Sequence, residues 1–385
     1  MSDPARAMRQ VLHGRAFVDG EVRDAATVEI EGPRIAAVRV GEPPPASAER
    51  MAGILVPGFV DLHVHGGAGA DFMDGTVEAT RRVCAFHARH GTVALAATTL
   101  SVPRAEITAA VMAAAAVARD PHPGEARIAG IHLEGPYLNP AKAGAQDPAA
   151  LRGADRGEVE EWLAAAGGLP VTMTVAPEVG GVLELIAALA GRVTFSLGHT
   201  EADEELAQRA LTAGACRFTH LWNAMPPLHH RRPGAVGAAL GSATATLELI
   251  ADGEHVHPLL LAACARLAPR RTALVTDAMR AAGMAEGRYA LGPMEVEVRE
   301  GTARLPGGTL AGSLLTMDAA VRTMVLAAGV RLALVLPLAG EVPARALGLD
   351  GKGRIVPGAA ADLVELDTDL HAARVWIDGC EVATD

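Results

Sequence analysis

The sequence predicts an α/β chain: a (β/α)8 TIM-like barrel with a small β-sandwich formed by both chain termini. Three observations carry this. Short β-prone runs recur at 54–64, 92–99, 126–134, 171–176, 192–198, 215–221, 246–251 and 272–277. Most of the intervals between them read as helices, such as TVEATRRVCAFHARHG, EADEELAQRALTAGA and PLLLAACARLAP. The two ends of the chain depart from this repeat and alternate polar with apolar residues around DG and GP turn signals.

Residues 12–41 and 361–383 are the alternating ends. Neither buries much apolar surface alone, so they are expected to pair with each other, as 1–55 with 350–385, around a catalytic barrel spanning 56–349. The eight central runs lack strict alternation, as strands buried on both faces do in a parallel sheet. The helix after the 192–198 run carries a capping signature, Thr200 followed by Glu201, Asp203 and Glu204. Residues 287–312 contain hairpin-like text and read as an insertion between the eighth barrel strand and its helix.

Half of the 385 residues are hydrophobic, enough for a large core, and only 3% are aromatic, so that core is built from small and branched aliphatics. A net charge of −11 argues against a general nucleic-acid partner, because phosphate backbones select basic fields. Cys84, Cys216, Cys264 and Cys380 are scattered without a CxxC pair and read as buried free thiols in a reducing compartment. The opening MSDPARAMRQVLHGRAF lacks the apolar stretch of a signal peptide, and the alanine runs are too short or too interrupted to span a bilayer. The expectation is a soluble cytoplasmic protein.

Function is written at the strand ends. Five runs finish on metal-type side chains: His63 with His65, then Glu134, His199, His220 and Asp277. One such histidine is as often a satisfied core residue, but five ends of this kind are hard to explain without a metal. His63 and His65 stand at i and i+2 and share a strand face. If that face is the interior, both imidazoles reach the C-terminal mouth where barrel enzymes place their chemistry. Glu134 lies nearer that mouth than His132, which reads as a core histidine one layer deeper. His199 and His220 come from successive later strands. Asp277 is open to three readings, as ligand, general base or both; metal-activated water needs a proton acceptor, and an anion beside a cation stays ionised.

The PGFVDLHVHG opening, the late-strand aspartate and the terminal β-segments resemble the amidohydrolase superfamily. The segments HLEGPYLNPAKAGAQDP, SLGHTEA, THLWNAMPPLHHRRPG, IADGEHVHP, LVTDAM and TLAGSLLTM are similar to those of N-acetylglucosamine-6-phosphate deacetylases, over essentially the whole chain. The resemblance implies that Glu134, His199 and His220 hold the principal divalent ion. It implies that His63 and His65 belong to a pair that some members use for a second ion, with Glu134 bridging, and that Asp277 is the catalytic acid/base. Asn223 and Ala224 match positions that hold the sugar phosphate, His255 a substrate-contacting histidine, and Leu310, Ala311 and Gly312 a loop closing over the sugar. Arg231 matches an arginine that reaches the substrate of a neighbouring subunit, which implies a homodimer. Imidazole and carboxylate ligands suit one or two ions of zinc in the first place, with iron, manganese or cobalt as alternatives.

Plainer readings stand beside these. Arg231 sits in HHRR and suits a solvated surface; His257 suits a bystander; Gly312 suits an ordinary turn; His13, His87, His90, His122 and His371 carry no expected function; Asp61 and Asp71 suit supporting or turn positions. The chain also departs from the family in two places. Ala145 and Gln146 lie in GAQDP, where the family usually has a substrate-contacting histidine, and glutamine cannot titrate. Arg232 follows Arg231 where the family usually has glutamate. The implied reaction is hydrolysis of N-acetyl-D-glucosamine 6-phosphate to D-glucosamine 6-phosphate and acetate. The alternatives are another N-acyl amino sugar such as N-acetylgalactosamine 6-phosphate, another acidic amide, or a non-catalytic, metal-dependent sugar-phosphate binding protein.

Overall fold

The computed structural model describes residues 9–383, so the first eight residues of the expected 1–55 segment and residues 384–385 lie outside the described ones. Eight parallel strands form the barrel sheet: β1 (Phe59–Val64), β2 (Thr92–Thr99), β3 (Arg127–Glu134), β4 (Val171–Val175), β5 (Thr194–Leu197), β6 (Arg217–Phe218), β7 (Thr246–Ile250) and β8 (Thr272–Val275). They lie side by side in chain order. The ring closes where Asp277 N donates to the His63 carbonyl at 2.8 Å and His65 N to the Ala278 carbonyl at 2.9 Å. Each strand is followed by a helix, from Val77–Arg89 after β1 to Met317–Leu326 after β8.

The 54–64 run is not one strand, which corrects the expectation. Glu49–Pro57 belongs to the terminal sheet and the barrel strand begins at Phe59. Gly58 marks the break, and a Cβ there would meet the Val93 side chain at 2.4 Å. The terminal sheet has seven strands, in the order 380–381, 372–377, 363–366, 49–57, 9–18, 21–31 and 34–40. The DG dipeptides at 19–20 and 378–379 are tight hairpin turns with positive φ at each residue, Asp19 and Gly20 at 54° and 79°, Asp378 and Gly379 at 50° and 75°. This sheet closes over its own core of Leu12, Val28, Ile30, Ile35, Leu55, Leu363 and Trp376.

The insertion after β8 is a three-stranded antiparallel sheet, Gly287–Leu291, Met294–Arg299 and Thr302–Arg304. The helix Glu204–Ala213 is capped by Asp203, whose side chain accepts from Leu206 N, rather than by Thr200. Thr200 lies three residues ahead of that cap, where its hydroxyl donates to Glu178 at 2.5 Å and accepts from Ala202 N at 2.9 Å. The four cysteines are free, but only Cys84 and Cys264 are buried; Cys216 and Cys380 are exposed, against expectation. Among the described residues no helix is long and apolar enough to cross a membrane.

Candidate active site

The barrel interior below the site is polar. Thr98 and Thr174 flank the buried His132 ring at 3.3 and 2.7 Å, and Thr174, Thr219 and Ser196 continue the chain of hydroxyls at 2.6 and 2.5 Å. Barrel layers are usually filled by branched aliphatics. Here paired hydroxyls and one imidazole do it, and burial holds His132 well below the usual histidine range, hence neutral. His132 therefore lies one layer beneath the ligands, matching its sequence reading.

Above this layer the predicted side chains converge. Glu134, at the end of β3, is shared by two groups whose ligand-type atoms lie within 4.8 Å of one another: His63, His65 and Glu134, and Glu134, His199 and His220. Glu134 Oε1 lies 3.3 Å from His199 Nε2, 3.2 Å from His220 Nε2 and 3.4 Å from His63 Nε2, while Oε2 lies 3.4 Å from His65 Nε2. The Nε2 atoms of His199 and His220 are 3.0 Å apart, and those of His63 and His65 are 3.2 Å apart. Donors on a tetrahedral ion with bonds of about 2.0–2.1 Å stand roughly 3.3–3.4 Å apart, so this donor set fits a divalent metal. His199 Nδ1 donates to the Lys142 carbonyl at 2.8 Å, which leaves its Nε2 lone pair for an ion.

The backbone is bent to aim these groups. His199, His220 and Asp277 follow their strands directly and have φ of 49°, 28° and 50°, as does Ala224 at 52°. Left-handed geometry costs a non-glycine residue about 1–2 kcal/mol, and its clustering at one strand mouth marks a functional constraint. Gly198 makes the turn into His199 possible, since a Cβ there would meet Thr174 Cγ2 at 2.8 Å and Thr219 Cβ at 2.9 Å.

Asp277 Oδ1 stands 3.2 Å from His65 Nε2 and 3.4 Å from His63 Nε2. Burial works against its ionisation, but His63 and the bond from His65 outweigh burial and hold its carboxyl at about 2. Burial likewise works against the protonated imidazoles, yet Asp277 and Glu134 push His63 up to about 9 and His65 to about 10. Two carboxylates thus favour positive charge on the two imidazoles, the charge that a divalent cation would supply in their place.

The site opens into a cavity of about 560 Å³, within the range of small-molecule pockets. Ala145, Gln146, Asn223, Ala224, His255, Leu310 and Gly312 line it; Ala311 is fully buried behind its neighbours. Gln146 Nε2 donates to Glu134 Oε2 at 2.5 Å and its Oε1 accepts from Ser101 N at 2.7 Å, so it grips the shared carboxylate. His255 Nδ1 lies 2.6 Å from Asp252 Oδ2; although burial opposes it, this partner raises the imidazole above its ordinary value. Arg231 is exposed and does not line the cavity of its own chain. His257 caps the helix Pro258–Leu267, and Asp61 ties β1 to β8 by accepting from the Thr276 hydroxyl at 2.5 Å.

The sequence reading missed Lys142 and Arg304, two cations on the cavity wall, and Leu100, Leu291 and Thr309 beside them. Lys142 sits in the quoted AKAGAQDP segment, where its charge was the available signal. Arg304 ends the inserted sheet, where nothing local distinguishes it.

Comparison with known proteins places this geometry. The sequence profile of the amidohydrolase family matches residues 54–382. The N-acetylgalactosamine-6-phosphate deacetylase of Escherichia coli O157:H7 is 41% identical over 97% of this chain and 99% of its own length. The N-acetylglucosamine-6-phosphate deacetylase of Bacillus subtilis (strain 168) is 39% identical over 92% of this chain and 91% of its own. A solved structure of the Mycobacterium smegmatis N-acetyl-D-glucosamine-6-phosphate deacetylase, a mutant in complex with N-acetyl-D-glucosamine-6-phosphate, superposes with a TM-score of 0.92 at 37% identity, covering 98% of this chain and 100% of that one.

Proposed function

The chain belongs to the amidohydrolase family, and we propose that it hydrolyses the acetamide of N-acetyl-D-glucosamine 6-phosphate, giving D-glucosamine 6-phosphate and acetate in amino-sugar catabolism. The relatives of that name support the substrate. The observation that carries the chemistry is the sharing of Glu134 by two histidine pairs, with Asp277 within 3.4 Å of His63 at the cavity base.

Glu134, His199 and His220 would hold one divalent ion, zinc by preference, and His63 and His65 with Glu134 a second. The bound metal supplies Lewis-acid polarisation of the acyl oxygen and of water. Asp277, ionised near neutrality, accepts a proton from the attacking water and returns it to the departing amine nitrogen. His255, with Nδ1 engaged by Asp252, has Nε2 left to donate to the acyl oxygen. Asn223 and Ala224 receive the phosphate, and Leu310 to Gly312 close over the sugar. Arg231 completes the site of a neighbouring subunit in a homodimer, which its absence from its own cavity suits. We place the enzyme in the cytoplasm, as its phosphorylated substrate and unpaired cysteines suggest.

Acetate release from N-acetylglucosamine 6-phosphate by metal-loaded protein tests this reading; no release from any N-acetyl sugar phosphate overturns it. A second reading, N-acetylgalactosamine 6-phosphate, is favoured by the E. coli O157:H7 relative and by Gln146 in place of histidine. The ratio of kcat/KM for the two epimers decides between them.

A further inference from the structure

Beneath the ligand cluster lies a buried ion pair that the reaction above does not use. Glu248 on β7 and Arg217 on β6 are 0% and 1% exposed, with Glu248 Oε1 and Arg217 Nη1 3.6 Å apart. Arg217 is anchored at its other donors: Nη1 donates to Thr172 Oγ1 at 3.3 Å and Nη2 to the Ala346 carbonyl at 3.0 Å. The second Glu248 oxygen, Oε2, lies 3.4 Å from His63 Nδ1. A buried ion pair is commonly no more stabilising than apolar residues of the same volume, so stability does not explain this one.

The His63 ring does. Its Nε2 faces His65, Glu134 and Asp277, while its Nδ1 faces Glu248. The other ring nitrogens are treated differently: His199 Nδ1 donates to a carbonyl, and the Nδ1 atoms of His65 and His220 have no hydrogen-bond partner. Among these four histidines His63 alone has a carboxylate within hydrogen-bond reach of its Nδ1. A carboxylate accepting from the remote nitrogen fixes the tautomer and makes the near nitrogen a stronger donor to a cation. We propose that Glu248, its charge balanced by Arg217 at 3.6 Å, is the positioning residue that sets His63 Nε2 as a metal donor, and so determines whether the position formed by His63, His65 and Glu134 takes an ion. The position formed by Glu134, His199 and His220 is supported instead by the His199 Nδ1 bond to the Lys142 carbonyl, and should fill independently of Glu248. This inference rests on the metal reading proposed above.

The test uses the full chain, stripped by chelator and titrated with Zn²⁺, with ions counted by elemental analysis and affinities read by competition with a chromophoric chelator. Wild type is expected to bind two ions. Glu248→Gln is expected to lose about 10- to 100-fold in affinity for one of them while keeping the other, and Glu248→Asp to recover part of that loss. If the single variants fold poorly, Arg217→Met/Glu248→Leu removes both charges together, is expected to fold, and is expected to lose the same ion. His65→Asn, which removes another donor of that position, should give the same one-ion protein. Wild-type binding of one ion only, unaltered binding of both ions by Glu248→Gln or the double variant, or equal loss of both ions overturns the proposal. Acetate release measured in parallel separates the cases: an inactive wild type with two ions overturns the reaction and leaves the positioning role standing.

Discussion

Metal binding should expel protons from the histidines that would hold the ion. His63 and His65 are held at about 9 and about 10 because Asp277 and Glu134 stand within 3.4 Å of both rings. Both imidazoles are thus pushed toward their protonated forms near neutrality, and an ion at this position requires both to be neutral. Loading it should therefore release at least one proton, and the apparent affinity should rise between about pH 7 and 9 by about tenfold per pH unit for each proton released. The sign is fixed by the direction of the shift. A folded-state value raised above the ordinary 6.5 stabilises the metal-free fold below that pH, and the stability is lost as pH rises through 9 to 10. Alkali thus weakens the metal-free protein while strengthening metal binding. Isothermal titration of Zn²⁺ in buffers of different ionisation enthalpy counts the protons directly. Release of none, or an affinity flat between pH 7 and 9, would refute the view that these carboxylates favour protonated imidazoles.

Three further outcomes follow from the same geometry. Asp277→Asn should still bind metal but lose roughly 10²–10⁴-fold in turnover, and near-normal turnover would remove Asp277 from proton transfer. Gln146→Ala deletes a bond to a charged carboxylate, worth about 1.5–3 kcal/mol, so metal affinity should fall roughly 10- to 100-fold in a chelator competition. Gly198→Ala forces a Cβ against Thr174 and Thr219 and should lower unfolding stability by about 1–3 kcal/mol by denaturant titration, with weaker retention of the His199 ion.

The sequence made the barrel and its ligands legible because both obey local rules. Uninterrupted apolar runs mark strands covered on both faces, and the i, i+2 spacing puts His63 and His65 on one side. The DG dipeptides announced their hairpins for the same reason, since φ above zero at both central residues restricts residue choice. What stayed hidden depends on non-local packing. Gly58 splits a continuous apolar run only because Val93 of the next strand leaves no room for a Cβ. Thr200 bonds Glu178 from another loop and Ala202 N, and the helix starts only after Asp203. Glu248 meets His63 across 185 positions through barrel closure. Its signal was present nonetheless: a glutamate inside the apolar run TLELI must be buried, and a buried carboxylate needs a partner.

The central claim is that the cluster around Glu134 and Asp277 cleaves an acetamide on a phosphorylated amino sugar. The most direct measurement is acetate release from N-acetylglucosamine 6-phosphate by metal-loaded protein, beside its galacto epimer and the unphosphorylated sugar. Metal-dependent turnover should be fastest with N-acetylglucosamine 6-phosphate and fall sharply when the phosphate is removed. Equal turnover with and without phosphate, or turnover unaffected by chelation, would contradict it.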